Sequence, residues 1–318
     1  MKIKIHFIGI GGIGVSSLAQ YYLEKGHQIS GSDLVSSEVT DFLKNKGIKI
    51  LNGNLAQNIN KDIDLVIHSP AVKSDNPEYK KAKELKIKTL SYPEALGELT
   101  KKYYTIAVSG AHGKSTTTSM IGLLLIKAGI DPTIIVGTKL KELGGTNFRM
   151  GNSKYLVIEA CEHDGSFMNY SPQIIVVTNI DKEHMDYFRV FSNVLKTFKS
   201  FILKLPQNGF LVVNKDDKSL KKIKFKKPKF KVINYSLKSR SRSDRGSLIL
   251  SGQKEAKKFK NILKIPGEHN ISNALATLSV ARILGIPDKI SFKSLSEYKG
   301  SWRRFEIIKT KPYTLISD

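Results

Sequence analysis

The sequence of 318 residues contains one cysteine, Cys161, and one tryptophan, Trp302. A lone cysteine excludes an internal disulfide framework and points to a reducing compartment. Acidic residues are scarce beside basic ones: 28 Asp and Glu against 52 Lys and Arg, a formal net charge of +24. That excess reads first as a lysine-rich solvated surface and second as attraction to anionic small substrates, because net charge alone selects no partner. Long apolar runs are also missing. Met1 to Val15 starts like a secretion signal, but glycines at 9, 11, 12 and 14 interrupt it, and no longer apolar stretch follows. The expectation is a cytoplasmic protein with no membrane partner.

About 40% of residues are hydrophobic, enough for a sizeable core, and the length suits two domains. Short apolar runs alternate with helical patterns over the first hundred residues. Ile3–Ile10, Gln28–Ser32 and Asp64–His68 read as strands, and Ser16–Lys25 and Pro77–Leu85 as helices. This rhythm predicts parallel βαβ units. The polar segment Glu98–Tyr103 follows a helix around Pro93, and a domain boundary is placed there.

A second series follows. Tyr104–Val108, Tyr155–Glu159 and Ile174–Thr178 read as strands, the last two buried because β-branched residues are dense in them. Lys114–Ala128, Val190–Leu203 and Ile271–Leu284 read as helices. Gly209–Asn214, Lys231–Ser236 and Ser247–Ser251 read as strands at hairpin-like spacing, and Arg304–Ile308 and Tyr313–Ser317 as short strands. Lys218–Arg245 is the most basic stretch, with Phe225 and Phe230 among its lysines. Such a strip can suit nucleic acid. It is read here as an exposed hairpin with a solvated face, and no nucleic-acid partner is expected.

Two glycine loops carry the chemistry. Gly9 to Gly14 fits G-x-G-x-x-G between a strand and a helix, where backbone N–H groups can approach a diphosphate. Ser32-Asp33 closes the next strand, where an acid can meet a ribose hydroxyl. NAD, FAD and a UDP-sugar all carry a pyrophosphate, and this loop alone makes a nicotinamide dehydrogenase the default. The second loop, Ser109-Gly110-Ala111-His112-Gly113-Lys114-Ser115-Thr116, argues against that default. Its backbone and the Lys114 ammonium can cradle β- and γ-phosphates, and the Ser115 hydroxyl can reach Mg²⁺. Val108 stands where the first glycine of the longer G-x-x-x-x-G-K-S form would be. A hard cation needs further ligands. Glu159 ends one buried strand, with Glu162 and Asp164 close behind, and His184 follows the end of the next. Strand ends in a parallel sheet share one edge, so Glu159 and His184 are expected to converge on one or two metal ions.

The pieces HFIGIGGIGVSSLA, SGSD, HSPAV, SGAHGKSTTT, EACEHDGSF, VVTNIDKEHMD, PGEHNISNALA and WRRFE together resemble the Mur ligases, in family order across nearly the whole chain. The resemblance implies an α/β protein: an N-terminal Rossmann-like parallel-sheet domain (1–102) and a central P-loop ATPase-like α/β domain (103–311). Residues 312–318 would begin an absent C-terminal domain. It implies an ATP-dependent, Mg²⁺-requiring amide-forming ligase of peptidoglycan precursor synthesis. That enzyme joins L-alanine to UDP-N-acetylmuramate through an acyl phosphate. By resemblance, Gly11, Gly12, Ile13, Gly14, Ser32, Asp33, Ser69, Pro70 and Ala71 hold the UDP-sugar. Gly110, Ala111, His112, Gly113, Lys114, Ser115 and Thr116 hold the ATP phosphates, with Asn270 and Asn273 near the adenine; by pattern alone Asn270 is equally a helix N-cap. Ser115, Glu159 and His184 serve the metal, Arg304 reaches a phosphate, and Lys114, Arg304 and His184 are the catalytic set.

The sequence also departs from the family. Serine replaces the usual threonine after the loop lysine. Ala111 stands where threonine is common, and Cys161 and His163 replace an acidic and a small polar residue. Family members carry a third α/β domain with the amino-acid site, whereas this sequence stops at Asp318. The expectation is a chain inactive alone, completed by further sequence or by a separate chain. Two rivals are a sister ligase adding a ready-made peptide and a binding module without turnover.

Overall fold

The computed structural model describes residues 2–239, 242–244, 247–302, 306–309 and 314–317. The first series forms β1 (Lys4–Ile8), α1 (Ile13–Glu24), β2 (Gln28–Asp33), α2 (Glu38–Asn45), β3 (Lys49–Asn52), β4 (Leu65–His68), α3 (Pro77–Glu84), β5 (Lys88–Ser91) and α4 (Tyr92–Thr100). The helices begin where the sequence supplies caps. Ser37 accepts from the N–H of Thr40, Asn76 caps α3 ahead of Pro77, and Ser91 opens α4 with Glu94 three residues on. The strands pair in parallel in the order β3-β2-β1-β4-β5. The order reverses between β1 and β4. A ligand crevice belongs there, outside the carboxyl ends of the strands.

The second series forms β6 (Tyr104–Ser109), α5 (Lys114–Lys127), β7 (Thr133–Leu140), β8 (Thr146–Arg149), β9 (Tyr155–Glu159), β10 (Ile174–Val177), α6 (Met185–Phe188), α7 (Phe191–Ile202), β11 (Phe210–Asn214), β12 (Lys231–Tyr235), β13 (Arg242–Asp244) and β14 (Ser247–Ser251). It continues with α8 (Gln253–Ile262), α9 (Glu268–Ile283) and α10 (Asp288–Glu297), and then β15 (Glu306–Lys309) and β16 (Thr314–Ser317) pair with each other. The sheet order is β13-β14-β12-β11-β10-β6-β9-β7-β8. β6 sits between β10 and β9, both parallel to it. The loops leaving these three strands therefore meet at one edge. Among the described residues, no helix is long and apolar enough to cross a membrane.

Three findings change the sequence reading. The strands at 210–251 are not hairpins: β11, β12 and β14 pair in parallel, and only β13 and β14 run antiparallel. Parallel neighbours need crossovers, and residues 215–230 supply the one between β11 and β12. Phe225 and Phe230 do not interleave the lysines as a stacking surface. Their rings meet edge to face at 5.5 Å, and Phe230 is buried in the core. Finally, an antiparallel arm, β7–β8, which no strand pattern in the sequence announces, fastens the two sheet units together. Gln20 of α1 donates to Asn147 Oδ1 at 3.2 Å and accepts from Thr146 at 3.1 Å, and Asn147 donates to the Ile13 carbonyl. Tyr21, Phe148 and Phe167 share one core with residues of both units.

Candidate functional site

The first loop borders a cavity of about 690 Å³ at the β1/β4 switch point. Gly11, Gly12, Asp33, Ser69 and Ala71 line it, and Ile13, Gly14, Ser32 and Pro70 do not. Asp33 accepts the Gly11 N–H at 2.8 Å, so the carboxylate fixes the loop as well as facing the cavity. Gly14 lies against a ring: a Cβ there would stand 2.8 Å from Tyr92. Ser32 points the other way, fully buried, and donates to Glu78 at 2.6 Å. Asn58 donates to the same carboxylate at 2.6 Å, and His6 stands 3.5 Å from it. Ser32 is thus part of a buried polar network beneath the crevice. Sequence reasoning missed Leu34 and Val35, which rim the cavity with 72% and 70% exposure.

The second loop connects β6 to α5 around a cavity of about 360 Å³. Ala111 to Thr116, Glu159, Glu183, Asn270, Asn273 and Tyr298 are among its lining residues. Two glycines shape it. Gly110 has φ +135°, and a Cβ on it would lie 2.2 Å from Thr178 Oγ1; Gly113 has φ +81°, and a Cβ on it would lie 2.5 Å from Asn273 Oδ1. Side chains are strained at such φ values, and here there is no room for one either. The turn is clamped from β10's end. Asn179 accepts the His112 N–H at 2.9 Å and donates to the His112 carbonyl at 2.9 Å, while Thr178 donates to the same carbonyl at 2.6 Å. Among the described residues, no hydrogen bond takes up the N–H groups of Gly113, Lys114, Ser115 and Thr116. Four donors at a helix start, with the positive end of its dipole, make an anion cradle.

Lys114 folds onto its own loop. Its ammonium donates to the carbonyls of Gly110 at 2.5 Å and Ala111 at 3.0 Å, and to Glu162 at 3.3 Å. Ser115 is buried at the wall of the cavity. Glu159 lines the cavity and accepts the Gly137 N–H at 3.0 Å. His184 adopts a left-handed backbone (φ 54°) at the start of α6, and its ring meets that of His163 edge to face at 4.6 Å. The structure groups His184 with carboxylates other than the expected Glu159. Glu162, Glu183 and His184 bring one ligand atom each within 4.8 Å of one another, and Glu159 lies outside that group. Its carboxylate is turned to the β7 backbone. His112 adds an imidazole 3.3 Å from Glu183. Carboxylate oxygens and imidazoles at a phosphate cradle are the donor set for a divalent cation. Cys161 is half-buried beside this group, and burial pushes its thiol up from the ordinary range.

Asn270 and Asn273 sit in the first two turns of α9, both buried. The N-cap of α9 is Gly267, and Asn270 instead donates to the Pro266 carbonyl at 2.6 Å. Tyr298, also on this wall, has its hydroxyl pushed up to about 12 by burial. Arg304 lies outside the described residues.

Two crevices at the carboxyl ends of parallel strands in one chain, the second a lysine-bearing anion cradle beside carboxylates and imidazoles, define a two-unit α/β architecture of the nucleotide-binding kind. The chain belongs to the Mur ligase family: the family's catalytic domain matches residues 4–104 and its middle domain residues 108–281. It is 45% identical over 314 residues to the UDP-N-acetylmuramate–L-alanine ligase of Acetivibrio thermocellus, covering 95% of this chain and 66% of that protein. The enzyme of that name from Clostridium kluyveri is 42% identical over 324 residues, covering 99% of this chain and 70% of its own. The chain thus spans about two thirds of the length of the curated relatives it matches. Among solved structures, UDP-N-acetylmuramate–alanine ligase from Thermotoga maritima superposes with a TM-score of 0.81 at 27% identity, covering 98% of this chain and 72% of that one. A murein peptide ligase from Psychrobacter arcticus, at 23% identity and a TM-score of 0.82, shares the fold.

Proposed function

We propose that this chain is the sugar-nucleotide- and ATP-binding portion of a ligase that joins L-alanine to UDP-N-acetylmuramate. One observation carries the reading most directly. A glycine-shaped cradle with four open N–H groups and the Lys114 ammonium stands on one sheet edge, and a sugar-nucleotide-sized crevice occupies the neighbouring sheet. The relatives' names supply the substrates. Residues 1–102 would hold the UDP-sugar, through Gly11, Gly12, Asp33, Ser69 and Ala71. Residues 103–311 would hold ATP, with Asn270 and Asn273 toward the base. The remaining third of the relatives' length is the expected source of the L-alanine site, on the same chain or a separate one. A cytoplasmic setting follows from these substrates and agrees with the single cysteine.

The muramyl carboxylate attacks the γ-phosphorus of ATP, and ADP leaves with its bonding electron pair. The acyl phosphate is then attacked by the L-alanine amine. The amide forms, inorganic phosphate leaves, and the amine gives up a proton. This chain's part is positioning and charge compensation. The open N–H groups of Gly113 to Thr116 hold the phosphate oxygens, and Lys114 swings from the loop carbonyls to the β- and γ-phosphates. Asn179 and Thr178 keep the loop from collapsing. Arg304 is assigned to the transferred phosphoryl group by resemblance alone. By resemblance, Ser115, Glu159 and His184 would hold Mg²⁺, which when bound neutralises phosphate charge, and Glu159 would first have to turn from the Gly137 N–H. The test is calorimetric titration of this chain with ADP and Mg²⁺. Lys114→Ala should weaken binding by roughly tenfold or more, the loss of a charge-assisted bond. A variant that binds as tightly as the unaltered chain would refute the assignment.

A further inference from the structure

Glu162 is a residue the proposed reaction leaves without a role. It follows β9 by three positions and its side chain is only 2% exposed. A buried carboxylate is costly unless its oxygens are occupied. Its Oε1 accepts from Lys114 at 3.3 Å. Its Oε2 receives no hydrogen bond, and the Lys114 ammonium, 3.2 Å away, lies off the hydrogen-bonding direction. The same carboxylate belongs to the group with Glu183 and His184, whose ligand atoms fall within 4.8 Å. One carboxylate therefore faces two cationic positions: an ammonium that must leave to meet phosphate, and a three-donor cluster suited to a divalent cation.

We propose that Glu162 is an exchange residue. It holds Lys114 on the loop when nucleotide is absent and passes to a divalent cation, beside Glu183 and His184, when phosphates draw the lysine away. The inference rests on the nucleotide reading of the site. The exchange needs little movement, because both partners already border the carboxylate. It also removes a conflict of charge. A bare Glu162 beside a polyphosphate is repulsive, and releasing Lys114 without a replacement cation would leave a buried anion unpaired. Nucleotide and metal binding are then tied together: metal-free nucleotide must break the Lys114–Glu162 pair with nothing to replace it.

Two opposite effects of Glu162→Gln are expected in calorimetry with ADP. In EDTA, the variant frees the lysine and binds ADP roughly tenfold tighter than the unaltered chain, the scale of one charged hydrogen bond. On adding Mg²⁺, the gain in affinity seen in the unaltered chain shrinks by a similar factor. Removing a negative charge can by itself favour an anion, so Lys114→Ala/Glu162→Gln separates the two causes. The metal-free gain disappears without Lys114 if the exchange is correct, and its persistence there overturns it. Mn²⁺ in the presence of ADP, followed by paramagnetic resonance, gives a second readout: Glu162→Gln should bind Mn²⁺ more weakly than the unaltered chain while its far-ultraviolet spectrum is unchanged. Metal-free affinity equal to that of the unaltered chain, or an undiminished Mg²⁺ gain, refutes the exchange. If instead the unaltered chain binds no ADP in either condition, the nucleotide reading itself fails. Should Glu162→Gln not fold, Glu162→Asp, with the charge drawn back by one methylene, is expected to show both effects in weaker form. Its matching the unaltered chain in both readouts overturns the proposal.

Discussion

The two glycine loops are the same device, a strand–turn–helix at the carboxyl end of parallel strands, and they differ most between Gly12 of the first and Gly113 of the second. In the second loop, added side chains at Gly110 and Gly113 would collide with Thr178 at 2.2 Å and Asn273 at 2.5 Å, and both glycines have positive φ. In the first, Gly12 has φ −63°, and a Cβ there would find its nearest atom at 3.4 Å, an ordinary contact. The plugs differ as well. An acid, Asp33, takes up an N–H of the first loop, whereas a base, Lys114, takes up carbonyls of the second. The contrast is local, because the other glycines of the first loop are also closely packed: a Cβ would lie 3.0 Å from Ser69 at Gly9, 2.8 Å from Asp33 at Gly11 and 2.8 Å from Tyr92 at Gly14, which leaves Gly12 as the open position.

Substitutions can break or sharpen this contrast. The largest effect is expected at Gly113. Alanine there must accept a left-handed backbone and push Asn273 away, a loss of roughly 2–3 kcal/mol of stability. It should also lower ADP affinity, measured by chemical denaturation and calorimetry; a variant as stable as the unaltered chain would erase the difference between the loops. Gly12→Ala should cost less than about 0.5 kcal/mol, as an exposed position with room for a methyl group. Its effect should appear as weaker binding of UDP, because the methyl stands where a diphosphate would approach the backbone. The smallest effect concerns Cys161, half-buried between Glu159 and Glu162. Burial raises the Cys161 thiol, so less thiolate is present at any given pH than for a free cysteine. Iodoacetamide should label it slowly from neutral to mildly alkaline pH, with rate rising as pH rises, and quickly once urea unfolds the chain. Labelling as fast as that of free cysteine would show that the folded chain does not shield this thiol.

The loops were legible because glycine spacing, a preceding β-branched run and a following helical pattern are all local. The same holds for the ends of β9 and α3, which fall at or within a residue of where the pattern puts them. Ser32 shows where locality stops. It is adjacent to Asp33, and alternation along β2 sends the two side chains to opposite faces. The motif makes both candidate ligands, while the sheet gives Asp33 to the crevice and Ser32 to Glu78. Glu162 stands close behind Glu159 in the sequence and Glu183 beside His184, but the grouping of both with His184 depends on how the loops after β9 and β10 fold back. Those loops include left-handed turns at Asp164 and His184 that no periodicity announces. The β7–β8 arm was missed although it joins the two units. Its partners lie about 130 positions away, as with Asn147 and Ile13.

What the sequence determined by itself was the inventory: two parallel-sheet units, two phosphate-type turns, a lysine to meet an anion, and acids and imidazole near two strand ends. These follow from backbone preferences and hydrophobic periodicity acting over a few residues. Which of those groups face one another was decided only by tertiary structure. Sheet order sets which strand ends are neighbours, and packing against distant side chains turns Glu159 to Gly137, Ser32 to Glu78 and Lys114 to Glu162.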